Sequence, residues 1–280
     1  MTNRLELNWK LDGFVDEQRY YCSETPIDLE NLPVPKAIIA GDARTYTDTA
    51  IEVGKTYYVA VGSVNGGIEK VSQELEIYAG GDPHWDKVVA LLHFNGNLTD
   101  ATGRVWSANQ SLQFAPGVFG EALLRSNTSL IITTPASSDF LFDGDFTIEA
   151  FLKNTGGTNP LFVYGNNQNE FIPLYLDSAT SGRVFVKGNN LIVGISLPSG
   201  FFHYALTRKD GVVRAFVDGV MQGTANYGDT LGITAGDIYL CSGNGYYHLW
   251  TGQIDELRIT KGVARYTADF TPPDAPFPSL

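Results

Sequence analysis

Two groups of carboxylates are the first candidates for chemistry in this sequence. A retaining glycosidase needs two carboxyl groups about 5 Å apart on one face of the protein. The usual single-strand arrangement is Glu-x-Asp-x-Glu, whereas Asp143 and Asp145 precede Glu149 at the wrong spacing. Asp255 and Glu256 are adjacent, which on a regular strand places them on opposite faces. We therefore predict no catalytic carboxylate pair.

Other catalytic signatures are missing from the sequence as well. The four histidines, at positions 84, 93, 203 and 248, lack the spacing of a metal-binding pair such as His-x-x-x-His. There is no Gly-x-Ser-x-Gly elbow for a nucleophilic serine. Glu149 is expected to be a solvated or hydrogen-bonded residue on a strand face, and His203 a satisfied structural histidine. The chain is predicted not to be an enzyme.

The turn between Asn95 and Gly103 is the best candidate for a metal site. Calcium takes six to eight oxygen ligands from carboxylates, amides and backbone carbonyls. Asn97 and Asp100 lie in a turn of that composition. The alternative is that both side chains cap the turn by hydrogen bonding to the backbone, as Asn and Asp commonly do.

Two loops carry the residue types that bind sugars, which are an aromatic ring and amide or carboxylate partners on a rigid support. The first loop, 164–170, contributes Tyr164, Asn166 and Asn167. The second loop, 243–250, contributes three aromatic residues, Tyr246, Tyr247 and Trp250. In the alternative interpretation these rings close the ends of the core.

Composition predicts an all-β protein and excludes some partners. The chain of 280 residues has 16 Phe, 14 Tyr and 30 Gly, which suits pleated strands joined by tight turns. The net charge of −12, without a run of Lys or Arg, would repel a nucleic-acid backbone. No segment has the roughly 18 consecutive apolar residues of a membrane span.

The chain divides into two predicted domains. Residues 1–79 contain short alternating strands, including Thr56–Val64 and Lys70–Tyr78, with an Asn65-Gly66-Gly67 hairpin turn between them. Residues 80–86 form a linker that begins with two glycines and Asp-Pro. Residues 87–280 have strictly alternating strands and no βαβ pattern, which indicates two stacked antiparallel sheets.

Residues 54–61, Gly-Lys-Thr-Tyr-Tyr-Val-Ala-Val, resemble the late strand of a fibronectin type III module. The resemblance implies that Tyr57 forms a tyrosine corner, in which its hydroxyl bonds to the backbone, and that Trp9 is the core tryptophan. Only eight residues precede Trp9, so one hypothesis is a sandwich with an uncovered edge that pairs with another chain, and the alternative is a harmless truncation.

Four motifs in the second domain resemble laminin-G-like and pentraxin-like domains. They are Asp145–Phe151 (DFTIEAF), Phe202–Arg208 (FHYALTR), Val213–Gly219 (VRAFVDG) and Gly252–Ile259 (GQIDELRI). The resemblance implies a concanavalin A-like jelly-roll β-sandwich. It also implies that the first and last strands pair, which would bring Asp100 close to Asp255 or Glu256 as a structural calcium site.

The segments 85–94 and 260–273 are similar to laminin-G-like modules of tailed-bacteriophage virions, and 23–28 and 46–49 to fibronectin-like modules of phage tails. This resemblance implies a non-enzymatic tail or baseplate protein, synthesised in the host cytoplasm and carried in the virion. Its expected partners are other tail proteins, further copies of itself in a homo-oligomer, and host-surface glycan. A purely structural decoration protein is the alternative. Neither nucleic-acid binding nor membrane insertion is expected.

Overall fold

The chain forms two compact units in this computed structural model, Met1–Pro83 and His84–Ser279. The structure describes residues 5–11, 13–52, 55–126, 129–156, 171–234, 236–240 and 250–279, and the backbone of 162–164. Two short 3-10 turns, Trp85–Lys87 and Ser138–Phe140, interrupt an otherwise strand-based architecture. The predicted all-β class is confirmed. In the described part of the chain, no helix has the length and apolar character needed to cross a membrane.

The first unit contains a two-stranded sheet and a five-stranded sheet. The two-stranded sheet pairs β1 with β4, and the other has the order β3-β2-β5-β6, with β7 also paired to β5. Among the described residues β1 pairs with β4 alone. The strands are β1 Leu5–Asn8, β2 Glu17–Ser23, β3 Ala37–Ala40, β4 Thr45–Asp48, β5 Lys55–Asn65, β6 Ile68–Val71 and β7 Leu75–Ala79.

The core of the first unit contains the tyrosine contact that the sequence resemblance implies. Tyr57 is buried, and its hydroxyl accepts a hydrogen bond from the Glu52 backbone N–H at 3.0 Å. Trp9 packs against the same core and donates its Nε1–H to Gln18 at 2.5 Å. These contacts fix the ends of β5 and β2 relative to the smaller sheet.

The strand expected over Lys70–Tyr78 is instead two strands, β6 and β7. The interruption lies at Ser72, whose hydroxyl oxygen accepts a hydrogen bond from the Val61 backbone N–H at 3.1 Å. The same hydroxyl donates to the Gln73 carbonyl at 2.8 Å. The Ser72 side chain thus takes the place of a backbone acceptor in the hydrogen-bond ladder between the strands, as serine commonly does at strand ends and turns.

The second unit is a sandwich of two large sheets. The eight-stranded sheet has the order β10-β11-β24-β14-β19-β20-β21, with β8 also paired to β24, and the seven-stranded sheet has the order β18-β17-β16-β15-β23-β12-β9. A small sheet pairs β13 with β22. The strands are β8 Val88–Leu92, β9 Ser107–Ala108, β10 Gln113–Pro116, β11 Glu121–Arg125, β12 Ile132–Pro135, β13 Leu141–Phe142, β14 Phe146–Gly156, β15 Phe162–Tyr164, β16 Phe171–Ser178, β17 Ser181–Val186, β18 Asn189–Ser196, β19 Phe202–Lys209, β20 Val212–Val217, β21 Val220–Asn226, β22 Leu231–Gly232, β23 Asp237–Leu240 and β24 Thr251–Lys261.

One apolar core fills the space between these sheets. Strand β14 contributes Phe146, Ile148 and Ala150, and alternate residues of the other central strands do the same. This is the alternation that the sequence predicts for half-buried strands. The first strand of the unit, β8, pairs with the last, β24, as the resemblance implies.

The outer face of the eight-stranded sheet is covered by the C-terminal segment, residues 262–279. This segment is anchored at one end where Gly262 N–H bonds to the Asp145 carbonyl at 2.7 Å. Further along, Phe270 N–H bonds to the Gly219 carbonyl at 2.9 Å, and Phe277 N–H bonds to Glu256 at 2.9 Å. Outward-facing residues such as Thr147 and His203 are therefore buried too.

Candidate functional site

The turn predicted to bind calcium is held together by its own side chains. One carboxylate oxygen of buried Asp100 accepts hydrogen bonds from the Thr102 N–H at 2.8 Å and the Leu91 N–H at 3.1 Å, and the other accepts from Trp106 Nε1 at 2.9 Å. The Asn97 side chain accepts from the Thr99 N–H at 2.8 Å. This is the capping arrangement that the sequence offered as the alternative to calcium.

Asp255 and Glu256, the other two predicted calcium ligands, lie on the same face of the sheet. The prediction of opposite faces is wrong because β24 contains a bulge: Glu149 pairs with Arg258, but Phe151 pairs with Asp255, so one residue of β14 faces two of β24. Glu256 adopts a positive φ of 51° at this point. A β-bulge shifts the side-chain alternation by one position, which no alternating pattern in the sequence reveals.

Each carboxylate of this pair fastens a different segment to the sheet. One oxygen of Asp255 accepts hydrogen bonds from the backbone N–H groups of Val118 (2.8 Å) and Phe119 (3.0 Å). Glu256 accepts from Phe277 N–H and contacts His93 Nδ1 at 2.8 Å. Both carboxylates are fully buried. Their contacts join the β10–β11 hairpin and the C-terminal segment to β24.

The environment shifts the proton affinity of these groups. Burial raises the pKa of Asp255 to about 6, with a further increase from the negative charge of Glu256, while the two backbone hydrogen bonds oppose the rise. The pKa of His93 is raised mainly by its hydrogen bond to Glu256. The second oxygen of Asp255 has no hydrogen-bond partner among the described residues, which is consistent with a carboxyl that protonates easily.

Hydrogen bonds within the chain already occupy the Asn97 side-chain oxygen, both Asp100 carboxylate oxygens and one oxygen each of Asp255 and Glu256. No group of three or more His, Cys, Asp or Glu side chains in the described residues has metal-binding geometry. Calcium binding by this chain stays a prediction.

Glu149 is the centre of a buried ion cluster rather than a solvated residue. Its carboxylate accepts hydrogen bonds from Arg258 Nε at 3.0 Å and the Tyr266 hydroxyl at 2.9 Å, and it lies 3.2 Å from His203 Nε2. Arg265 lies 3.7 Å away. Burial by itself raises the pKa of Glu149, but the surrounding positive charges and hydrogen bonds outweigh it and lower the pKa to about 2. This carboxylate is ionised and enclosed, so it cannot reach a substrate.

Most of the predicted sugar-binding residues lie outside the described residues. These are Asn166, Asn167, Tyr246 and Tyr247, and of Tyr164 only the backbone is described. Trp250 is described, and its side chain is 1% exposed within the core between the sheets. The prediction that Trp250 offers an exposed ring is therefore wrong: it closes the core, as the alternative interpretation proposed.

The open face of the seven-stranded sheet carries a polar and aromatic cluster that the sequence motifs did not reveal. Arg183 on β17 pairs across the sheet with Tyr175 on β16, and its guanidinium lies 4.3 Å from the centre of the Tyr175 ring. Arg183 Nη1 also lies 2.8 Å from Asp177. The available signal was the polar and aromatic alternation Tyr-x-Asp and Arg-x-Phe on neighbouring strands.

These features define the class of protein: an all-β sandwich in which the C-terminal segment covers the outer face of the eight-stranded sheet, while described residues on the outer face of the seven-stranded sheet are exposed. Residues 126–265, half of the chain, match the Laminin_G_3 family, described as the concanavalin A-like lectin/glucanases superfamily. The chain belongs to this superfamily. No curated protein sequence matches it significantly.

Several solved structures are similar to parts of this chain. Domain 4 of a GH43 arabinanase from Geobacillus stearothermophilus, solved with arabinotriose, is 21% identical with a TM-score of 0.47, covering 64% of this chain and 94% of that domain. The binding domain of Paraclostridial mosquitocidal protein 1 is 16% identical with a TM-score of 0.52, covering 63% and 49%. Trypanosoma rangeli sialidase is 13% identical with a TM-score of 0.50, covering 84% and 48%. The chain thus aligns with about half the length of the last two proteins.

Proposed function

We propose that this chain is a non-enzymatic accessory protein of a phage tail or baseplate, and that its second unit binds host-surface carbohydrate. The observation that carries the proposal is the burial of three carboxylates in a sandwich of the lectin/glucanase superfamily. Glu149, Asp255 and Glu256 are fully buried and are bonded to neighbouring parts of the same chain. Hydrolysis needs carboxyl groups that contact the substrate, so the burial of these three carboxylates supports a binding function over a catalytic one.

The placement in a phage tail is supported by the sequence resemblances of segments 23–28, 46–49, 85–94 and 260–273. In this role the first, fibronectin-like unit docks onto the virion or onto another copy of the chain, and the second unit is displayed to the host. Binding at each site is weak, and repeated copies on one particle raise the effective concentration.

The exposed surface of the first unit supports docking to other tail proteins. Phe14 is 88% exposed, Val34 90% and Ile68 71%. A groove of about 560 Å³ lies beside two of them and includes Trp9 and Lys70. Large apolar side chains at the surface are typical of protein–protein contacts. This observation also favours the second candidate function, a structural decoration protein that binds only other virion proteins.

Clustered binding to polysaccharides tests the proposal. The purified chain is multimerised on beads to mimic virion valency and applied to an array of bacterial surface polysaccharides, in calcium and in chelator. Binding to a defined subset, with no release of oligosaccharide, is the expected result. Absence of binding across the array, together with incorporation of the chain into particles, would favour the structural decoration function instead.

A further inference from the structure

The cluster on the open face of the seven-stranded sheet has the composition and the fixed geometry of a ligand site. Tyr175 and Phe185 lie on neighbouring strands with ring centres 6.4 Å apart. Asn190 on β18 pairs directly with Phe185, so its exposed side chain lies on the same face. About a third of the Asp177 side chain and a quarter of the Arg183 side chain are exposed, at 33% and 27%.

Arg183 is held in place before any ligand arrives. Its guanidinium is stacked on the Tyr175 ring and bridged through Nη1 to Asp177, which restricts a side chain that is otherwise mobile. Asp177 is its anionic partner among the described residues, and about a quarter of the Arg183 side chain stays exposed beside this bridge. Because the ordering cost is met on folding, a hydrogen bond that Arg183 donates to a ligand gains more affinity.

We propose that Tyr175, Asp177, Arg183, Phe185 and Asn190 form a saccharide-binding site on the open sheet face. This inference rests on the carbohydrate-binding function proposed above and gives it a location different from the two loops that the sequence predicts. The Phe185 ring packs against the C–H face of a sugar, because the nearest face of Tyr175 is already covered by Arg183. Asp177 accepts hydrogen bonds from hydroxyl groups, while Arg183 and the Asn190 amide donate to sugar oxygens.

The charges of the site select neutral sugars. Asp177 lies within 2.8 Å of Arg183 and offsets its positive charge, so a sugar carboxylate would meet a compensated pair rather than a free cation. The chain as a whole has a net charge of −12, which disfavours a polyanionic polysaccharide at low salt. A neutral hexose or pentose polymer is therefore the expected ligand class.

Matched variants of the full chain test the location. The site variants are Arg183→Gln, Asp177→Asn and Phe185→Leu, the last of which keeps an apolar side chain but removes the flat ring. Arg214→Gln is the control, since Arg214 also lies on an outer face of the unit, but on the other sheet. A second control, Tyr246→Ala with Tyr247→Ala, removes the aromatic residues of the predicted loop. Thermal melts within about 2 °C of wild type establish that each variant is folded.

Affinity for the neutral polysaccharide that wild type binds best is then measured as a dissociation constant. We expect at least a tenfold loss for each site variant, and less than a twofold change for Arg214→Gln and for the loop variant. If the site variants stay within twofold while the loop variant loses binding, the open-face site is wrong and the proposed function stands. If wild type binds no polysaccharide, the proposed function fails and the site with it. Binding restricted to acidic polysaccharides would overturn the ligand class.

Discussion

Each outer face of the sandwich carries a trio made of an arginine, a carboxylate and an aromatic ring, but one trio is buried and the other is partly exposed. On the eight-stranded sheet, Arg258 contacts Glu149 at 2.9 Å and lies 4.0 Å from the centre of the Phe277 ring. On the seven-stranded sheet, Arg183 contacts Asp177 at 2.8 Å and lies 4.3 Å from the Tyr175 ring. The distances are nearly equal, but the first trio is buried under the C-terminal segment and the second is partly exposed.

This difference teaches that burial, rather than contact geometry, decides what such a trio does. A buried charge without its partner is costly, so the buried trio stabilises the folded position of the C-terminal segment that covers it. An exposed pair contributes little to stability, because water screens it, and its groups are available to a ligand. The predictions below test this contrast, beginning with the largest expected effect.

Removing the charge of Glu149 is expected to have the largest effect on stability. Glu149→Gln keeps the side-chain size but removes the buried negative charge that pairs with Arg258, which we expect to lower the free energy of unfolding by about 3–5 kcal/mol. The matched change on the open face, Asp177→Asn, is expected to cost less than about 1 kcal/mol. Urea denaturation of both variants measures the two values, and equal losses would refute the contrast between the faces.

Truncating Phe277 tests the C-terminal segment itself. This side chain is 2% exposed and packs against Phe151 and Arg258, so we expect Phe277→Ala to cost about 3 kcal/mol, as for other buried phenylalanines. Val193→Ala on the open face, where the side chain is 62% exposed, should change stability by less than about 0.5 kcal/mol. Proteolysis of the C-terminal segment in the Phe277 variant, but not in the control, would show that the segment has detached from the sheet.

The raised pKa of Asp255 predicts that stability falls as the pH increases. Its folded-state pKa of about 6 exceeds the ordinary value of 3.8, so the stabilising protonation is complete below pH 3.8 and is lost as the pH rises through 6. The expected loss is on the order of 2–3 kcal/mol. Glu149, whose pKa is lowered from 4.5 to about 2, contributes in the opposite direction but only below pH 4.5.

Asp255→Asn should remove the pH dependence between about pH 4.5 and 6. His93 adds a separate loss at higher pH, because its pKa is raised above 6.5 by Glu256. His93→Gln is the control, since it should remove only that part. Unfolding free energies measured by denaturant titration at several pH values separate the two groups, and an unchanged slope in Asp255→Asn would show that Asp255 does not titrate there.

Calcium is expected to have the smallest effect. Because the side chains of Asn97 and Asp100 already cap their turn, replacing chelator by millimolar calcium should change the melting temperature by less than about 1 °C. A shift of several degrees that disappears in Asp100→Asn would instead establish a calcium site at this turn.

The architecture was largely predictable from the sequence because it depends on local patterns. Alternation in β14 and β20 placed the inward-facing core, and glycine-containing turns placed the hairpins, since both depend on neighbouring residues along the chain. The tyrosine contact of Tyr57 followed from a short motif for the same reason. Long-range motif order predicted the sandwich class and the pairing of β8 with β24.

The candidate sites were less predictable because they depend on contacts between distant segments. The bulge at Glu256 reverses which face a carboxylate occupies, and its signature is a backbone angle rather than a residue type. Trp250 follows a loop rich in glycine and aromatic residues, which suggests an exposed ring, yet its side chain is buried between the two sheets. The calcium prediction identified residues with suitable side-chain oxygens. It could not identify the N–H groups, such as those of Leu91 and Trp106, that donate hydrogen bonds to the same oxygens.

The amino-acid sequence by itself determined the all-β class, the strand faces of the core and the lack of a single-strand catalytic motif. Only the tertiary structure decided that one sheet face is sealed and the other open. The reason is physical: an outer strand face of Thr, Glu and His is polar whether it is exposed or covered. Whether that face meets water depends on where a segment more than 100 residues away is anchored. Glu149 and Tyr266, which are 117 positions apart, show this directly, because their 2.9 Å hydrogen bond exists only once the C-terminal segment has folded over the sheet.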